Sequence, residues 1–287
     1  MYFLNINKPK GITSFDCIRI LRKKLATKSI GHSGTLDPLA SGVMQIGVGK
    51  ATKLLDYLDS DKTYIANILF GYISSTMDRE GEKSFVSEPK FSLNELNSVL
   101  NSFVGISEQI PPKYSAIKVN GKKLCDIARK NNDADVILKP RQIEIYSIEL
   151  INFSLPIASI KVHCKKGTYI RSLAHDIGQK LGCGAYITDL KRIQAGNFLI
   201  ENSQDINSEH FCKINPLDAL LLDKYELSKD QFNKIKNGCK IAIDKQFGSN
   251  LILLTFDNKL VSIANMSDNY SVGNGKLIKP IKNFNGD

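Results

Sequence analysis

Apolar positions recur along this chain with two periods, one helical and one alternating. Phe15, Ile18, Leu21 and Leu25 follow the capping-box-like start Thr13-Ser14-Phe15-Asp16, which predicts a helix with those four side chains inward. A second helical run covers Lys53 to Leu58. A third opens at Ser92 and Glu95, with Leu93, Leu96, Val99, Leu100 and Phe103 apolar and Gly105 as its stop. A fourth runs from about Ile170 to Leu181, with Ile170, Leu173, Ala174 and Ile177 inward and Gly182 at its end. Residues 64–70, YIANILF, are rich in β-formers and predict a strand, as do 141–153 and 158–164. After PLDALLLDKYELS the pattern changes. One capped helix (Ser228 to Lys236, stopped by Gly238) and short strands at LILLTF and KLVSIAN remain. They predict a β-rich module of about 65 residues, too small for a typical catalytic domain.

Between the first two helices lies GHSGTLDPLASG, residues 31–42, which surrounds the lone carboxylate of Asp37 with glycines and hydroxyls. An Asp-Pro step is ordinarily a turn whose carboxylate caps a backbone N–H. Here Gly31, Gly34 and Gly42 permit close approach of a ligand, and Pro38 restricts Asp37 to extended backbone. Two other chemistries fail on spacing. GVGKAT at 47–52 puts Met44 where a phosphate-binding loop needs its first glycine, and Ala51 where it needs a hydroxyl. A triad of Ser33, His32 and Asp37 is too crowded for one short loop, and no G-x-S-x-G elbow exists.

Charge narrows the partner. The 287 residues carry 39 Lys and Arg against 29 Asp and Glu, a formal charge of +10 that fits a polyanion partner as well as it fits solubility. Residues 111–130 read as a long loop leading into a short helix, with six basic side chains (Lys113, Lys118, Lys122, Lys123, Arg129, Lys130) against Asp126 alone. The six cysteines form no CxxC pair, and His163 and Cys164 face opposite ways on a strand, so reduced thiols and no metal site are expected. Without a long apolar run or a signal-peptide start, a soluble cytoplasmic protein with no membrane partner is expected.

GHSGTLDPLASGVMQIGVGKATK resembles the catalytic motif of the TruB family, the bacterial tRNA pseudouridine-55 synthases. NKPKGITS at 7–14, STMDREG at 75–81, PPKYSAIKVNGKK at 111–123, KGTYIRSLAHDIG at 166–178 and LKRIQAGNF at 190–198 match further segments in the family's order. The likeness covers about residues 3 to 200, and more weakly the tail is similar to the PUA-type RNA-binding module of such enzymes.

The resemblance implies an α+β pseudouridine-synthase fold with a mixed, largely antiparallel central sheet. It implies a catalytic domain over 1–221, with a thumb-like insertion at about 108–141, and a PUA-like module over 222–287. The implied reaction detaches the T-loop uracil of tRNA from its ribose, turns it and rejoins it through C5, without cofactor or metal. Asp37 is the implied nucleophile, at ribose C1′ or uracil C6, and Arg171 its bidentate partner. By the resemblance Tyr64 is the residue expected to stack on the flipped uracil, and Tyr169 the one expected to pack near Asp37 as a candidate acceptor of the C5 proton. The resemblance also implies that His32 contacts the RNA and Leu190 lines the uracil pocket, and Lys8 is expected to support the loop or meet a phosphate. Cys125 stands where the family usually has an aromatic residue. Ile193 replaces a more usual threonine, with an expected small change in the pocket wall. The implied partner is the tRNA T-stem-loop, bound by a monomer that needs no partner protein. The rival readings are a tRNA-folding chaperone without catalysis and a synthase of the same family aimed at another RNA.

Overall fold

The computed structural model describes residues 1–115, 118–119, 122–123, 138–245, 247–272 and 275–284. In chain order its elements are β1 (Tyr2–Lys8), α1 (Ser14–Lys24), β2 (Ile30–His32), β3 (Ser41–Val48), β4 (Lys62–Phe70), β5 (Tyr72–Ser74), β6 (Lys83–Phe85), α2 (Leu93–Asn101) and β7 (Gly105–Gln109). The pair β8 (Lys118–Val119) and β9 (Lys122–Lys123) follows, then β10 (Arg141–Ser154), β11 (Ile157–Cys164), α3 (Ile170–Lys180), β12 (Ala185–Ala195), β13 (Phe198–Leu199) and β14 (Gln204–Asp205). The tail holds α4 (Pro216–Ala219), β15 (Asp223–Glu226), α5 (Lys229–Lys236), β16 (Ile241–Ile243), β17 (Leu251–Phe256), β18 (Lys259–Val272) and β19 (Gly275–Asn283).

Among the described residues, ten strands form the main sheet in the order β14-β1-β3-β12-β4-β11-β10-β7, with β2 on β3 and β13 on β12. The β1–β14 and β3–β12 pairs are parallel and the rest antiparallel, the mixed sheet the motifs imply. Period-2 alternation gives this sheet two different faces. Leu4, Ile6, Met44, Ile46, Ala66 and Ile68 meet Ile18 and Leu21 of α1, Leu96 and Leu100 of α2, and Leu173 and Ile177 of α3. Phe3, Val43, Ala195 and Phe198 face the other way. With Ala51, Leu54 and Leu58 they share a core with Leu253, Leu260, Ile263 and Phe284 of the tail.

The caps form as the sequence reads. Thr13, Ser92 and Ser228 each close a capping box, with Asp16, Glu95 and Gln231. The run expected at Lys53–Leu58 is the end of a 3₁₀ helix over Gly49–Tyr57, with Leu58 as its extended C-cap. Phe15 departs from expectation: it is 58% exposed, and α1 buries Ser14, Cys17, Ile18 and Leu21 instead. At about 100° per residue, Phe15 stands off the stripe that Ser14 shares with Ile18 and Leu21. Ser14 earns no burial by its own apolarity; its hydroxyl accepts from Leu36 N and donates to Leu36 O.

The tail sheet runs β15-β17-β18-β19-β16. Three of those strands escape the sequence reading. Two are only three or four residues long, and the third, GKLIKPIKN, is broken up by lysines and Pro280. The short helix expected before residue 130, and Cys125, lie outside the described residues. No described helix is long and apolar enough to cross a membrane.

Candidate active site

Asp37 sits in the loop between β2 and β3, and that loop is tied down on every side by main-chain and buried side-chain bonds. Gly11 N donates to Pro38 O at 2.8 Å, Ala40 N to Asp37 O at 3.1 Å, and Ser14 Oγ to Leu36 O at 3.0 Å. Lys8 Nζ donates to the carbonyls of Pro9, Ile12 and Pro38. Its side chain is fully buried, with the ammonium bonded to the loop carbonyls. Arg192 Nε donates to Val43 O at 2.7 Å and Nη2 to Gly34 O at 3.3 Å.

Of the loop's glycines, Gly42 is required by the chain's own packing. Gly42 has φ +114°, and a Cβ there would stand 2.1 Å from the Arg192 carbonyl. Beside Gly34 a Cβ would touch Lys62 Cε and approach Arg192 Nη1. The loop needs glycine where β3 and β12 come together.

With its backbone satisfied in this way, the Asp37 carboxylate is left to face a cleft. Its side chain is 32% exposed, and Arg171 Nε meets Oδ2 at 2.9 Å. The grip is not bidentate as expected. Arg171, in the first turn of α3 and 4% exposed, spends Nη1 on Thr76 O (3.1 Å) and Asp78 Oδ2 (3.4 Å), and Nη2 on Tyr114 O (2.8 Å). One guanidinium therefore spans two carboxylates and fixes the 37 loop to the β5–β6 turn. A buried arginine with that many acceptors is held in place, not solvated.

Tyr64 on β4, Tyr169 at the N-cap of α3, Leu190 on β12 and His32 at the end of β2 line the same cleft of about 1130 Å³, with Asp37, Arg171 and Asp78. Gln109 clamps the Tyr169 backbone, its Nε2 donating to Tyr169 O at 3.0 Å and its Oε1 accepting from Tyr169 N at 2.8 Å. The sheet brings Tyr64 opposite Arg192, in direct register across β4 and β12.

Electrostatics follow from burial. Desolvation raises the Asp37 carboxyl above the ordinary range, opposed by Arg171 and reinforced by Asp78. Burial likewise raises the Tyr64 and Tyr169 phenols and lowers the His32 imidazole, the last helped by Arg192. The phenols and the imidazole are thus neutral near pH 7. Lys62, also in the cleft wall, falls to about 8 through burial and the nearby Arg192.

Three participants escaped the sequence reading. Asp78 belongs to the quoted acidic turn, but nothing in STMDREG marks it as the second carboxylate on Arg171. Arg192 and Lys62 were legible in part, because alternation places Arg192 on the face of Leu190, and Lys62 on the face of Tyr64. The same alternation corrects Ile193, which lines a separate cavity of about 430 Å³ with Thr63 and Gln194 rather than the cleft. No group of three or more His, Cys, Asp or Glu among the described residues could hold a metal ion.

Comparison with known proteins places the chain in a family. The model of the TruB family pseudouridylate synthase N-terminal domain matches residues 22–170, and that of the tRNA pseudouridylate synthase B C-terminal domain matches 171–225. The tRNA pseudouridine synthase B of Clostridium novyi (strain NT) is 43% identical over 279 residues, covering 95% of this chain and 94% of its own length. That of Clostridium kluyveri is 45% identical over 256 residues (87% and 88%). Among solved structures, an H/ACA RNP bound to a substrate RNA containing 2′-deoxyuridine includes a chain similar in fold. Its TM-score is 0.73 at 20% identity, over 98% of this chain and 84% of that one. A chain of a Cbf5-Nop10-Gar1 complex gives 0.70 at 22% identity, over 92% and 78%. A mixed sheet with a curled C-terminal sheet, the quoted motifs in order and relatives more than 40% identical over most of their length make one conclusion: the chain belongs to the TruB family of pseudouridylate synthases.

Proposed function

We propose that this protein isomerises the T-loop uridine of tRNA, position 55, to pseudouridine, with Asp37 as its nucleophile. The observation that carries the reading is the Asp37 carboxylate held open to the cleft by Arg171, while its loop is bonded without it. The N1–C1′ bond breaks, the uracil turns, C5 bonds to C1′, and the C5 proton leaves to a base. A carboxylate that attacks C1′ or C6 must be ionised in a site dry enough for covalent chemistry. Arg171 offsets the desolvation that such a site imposes.

A uridine stacked within a folded loop must be flipped out to reach Asp37. Tyr64 and Leu190 then offer a face and a wall for the uracil, and His32 stays against the RNA as a neutral imidazole. Tyr169 enters the reaction as a neutral phenol, so it accepts the C5 proton only if its own proton moves on first. Residues 1–221 form the catalytic domain in this reading, with a basic thumb at about 108–141, and 222–287 a PUA-like module that helps hold the tRNA. The enzyme acts as a monomer, which sedimentation of the purified chain tests.

The reaction is tested with a T-stem-loop RNA tritiated at uracil C5, because rejoining through C5 must expel that hydrogen to water. Release by the wild type and its loss in Asp37→Asn, with RNA binding retained, is the expected result. A folded wild type that binds the RNA and releases nothing overturns the reading in favour of an RNA-binding protein without catalysis.

A further inference from the structure

Exposed apolar side chains are common on this surface, so exposure by itself says little about Phe15. Among the described residues, however, Phe15 is the one large exposed apolar side chain that also lines the cleft holding Asp37. Its placement is rigid. Thr13 caps the helix immediately before it, and its neighbour Ser14 is bonded both ways to Leu36, the residue preceding Asp37. Two covalent steps and one pair of hydrogen bonds therefore fix the backbone that carries the ring relative to the Asp37 loop. Two helical turns further on, the Arg22 guanidinium lies 5.9 Å from the ring centroid and steadies one side of it.

We infer that Phe15 is an RNA-stacking residue, its ring covering an unpaired base beside the flipped uridine at the cleft mouth. The inference rests on the uridine-isomerising reading and adds a recognition contact to it. Unstacked bases in loops are held on aromatic faces, and flipping one nucleotide exposes the faces of its neighbours. A phenylalanine offers such a face at small entropic cost, since it has two side-chain torsions and starts from a helix already capped. No charge is involved, so the contact is sequence-tolerant and insensitive to salt.

The test is steady-state tritium release from the T-stem-loop RNA by Phe15→Ala, Phe15→Leu and Phe15→Trp in the full chain. Stacking predicts a KM roughly tenfold higher for the alanine and leucine variants, and near wild type for tryptophan. The slope of log KM against log salt should stay that of the wild type, because no counterion is released by a phenyl ring. Wild-type KM in Phe15→Ala overturns the inference, as does rescue by leucine equal to that by tryptophan. Equal Tm values for the leucine and tryptophan variants keep a folding defect out of that comparison. Wild type that releases no tritium removes the underlying reading instead, which is a different outcome from release with an unchanged KM in Phe15→Ala.

Discussion

At the scale of single residues the cleft is a place where ionisation is disfavoured, and pH should report it. As the proposed nucleophile Asp37 has to be charged, and burial raises its pKa, so the acid limb of kcat/KM should lie above the ordinary carboxylate range. Arg171→Ala removes the opposing cation and should move that limb to higher pH while lowering the rate. A pH profile with the limb at or below about 4 would contradict this account of Asp37. Lys62 supplies a stability counterpart. Its folded pKa of about 8 lies below the ordinary lysine value, so the folded state disfavours its charge. Stability should therefore rise as pH climbs from about 8 through the unfolded lysine pKa of about 10.4. Lys62→Met should stabilise the RNA-free protein at pH 7 and lose that advantage near pH 11, which urea unfolding at both values measures.

Elements position these residues through main-chain contacts that tolerate little change. Ser14→Ala leaves Leu36 N and O without their buried partner, which should lower stability by about 1–3 kcal/mol. Because the same bonds hold the 37 loop, kcat should fall too, whereas Thr13→Ala should cost about 1 kcal/mol through the lost cap. Gly42→Ala is the severe case. Its φ of +114° suits glycine, and the added methyl meets the Arg192 carbonyl of the adjoining strand, so β3 and β12 cannot keep their register. Loss of folded yield is the expected outcome; a soluble Gly42→Ala with wild-type Tm would refute the close approach.

The whole molecule is held together by the second face of the sheet. Leu253, Leu260, Ile263 and Phe284 of the tail pack with Phe3, Leu54 and Phe198, so the tail is part of the core and not a loosely tethered appendage. A chain ending at residue 221 should expose that apolar face and aggregate or melt at lower temperature, as calorimetry would read. The net charge of +10 acts at the same scale. Affinity for tRNA should fall linearly on a log–log plot against salt, with a slope set by the phosphates engaged.

Much was legible in the residues alone. Helices at Ser14, Ser92, Ile170 and Ser228 announced themselves because caps and helical periods are local, encoded within a few positions. The motif around Asp37 marked the carboxylate, and its companions Tyr64, Tyr169, Arg171, Leu190 and His32 were named before any geometry. The structure alone decided what each does in space. It turned Phe15 outward because a serine bond to Leu36 outranked apolar burial. It divided Arg171 between Asp37 and Asp78, buried Lys8 beneath Pro38, and gave Gly42 to a neighbouring strand. These are contacts between residues from 22 to about 150 positions apart. Sequence spacing carries no record of them, because they exist only once the sheet has brought its strands together.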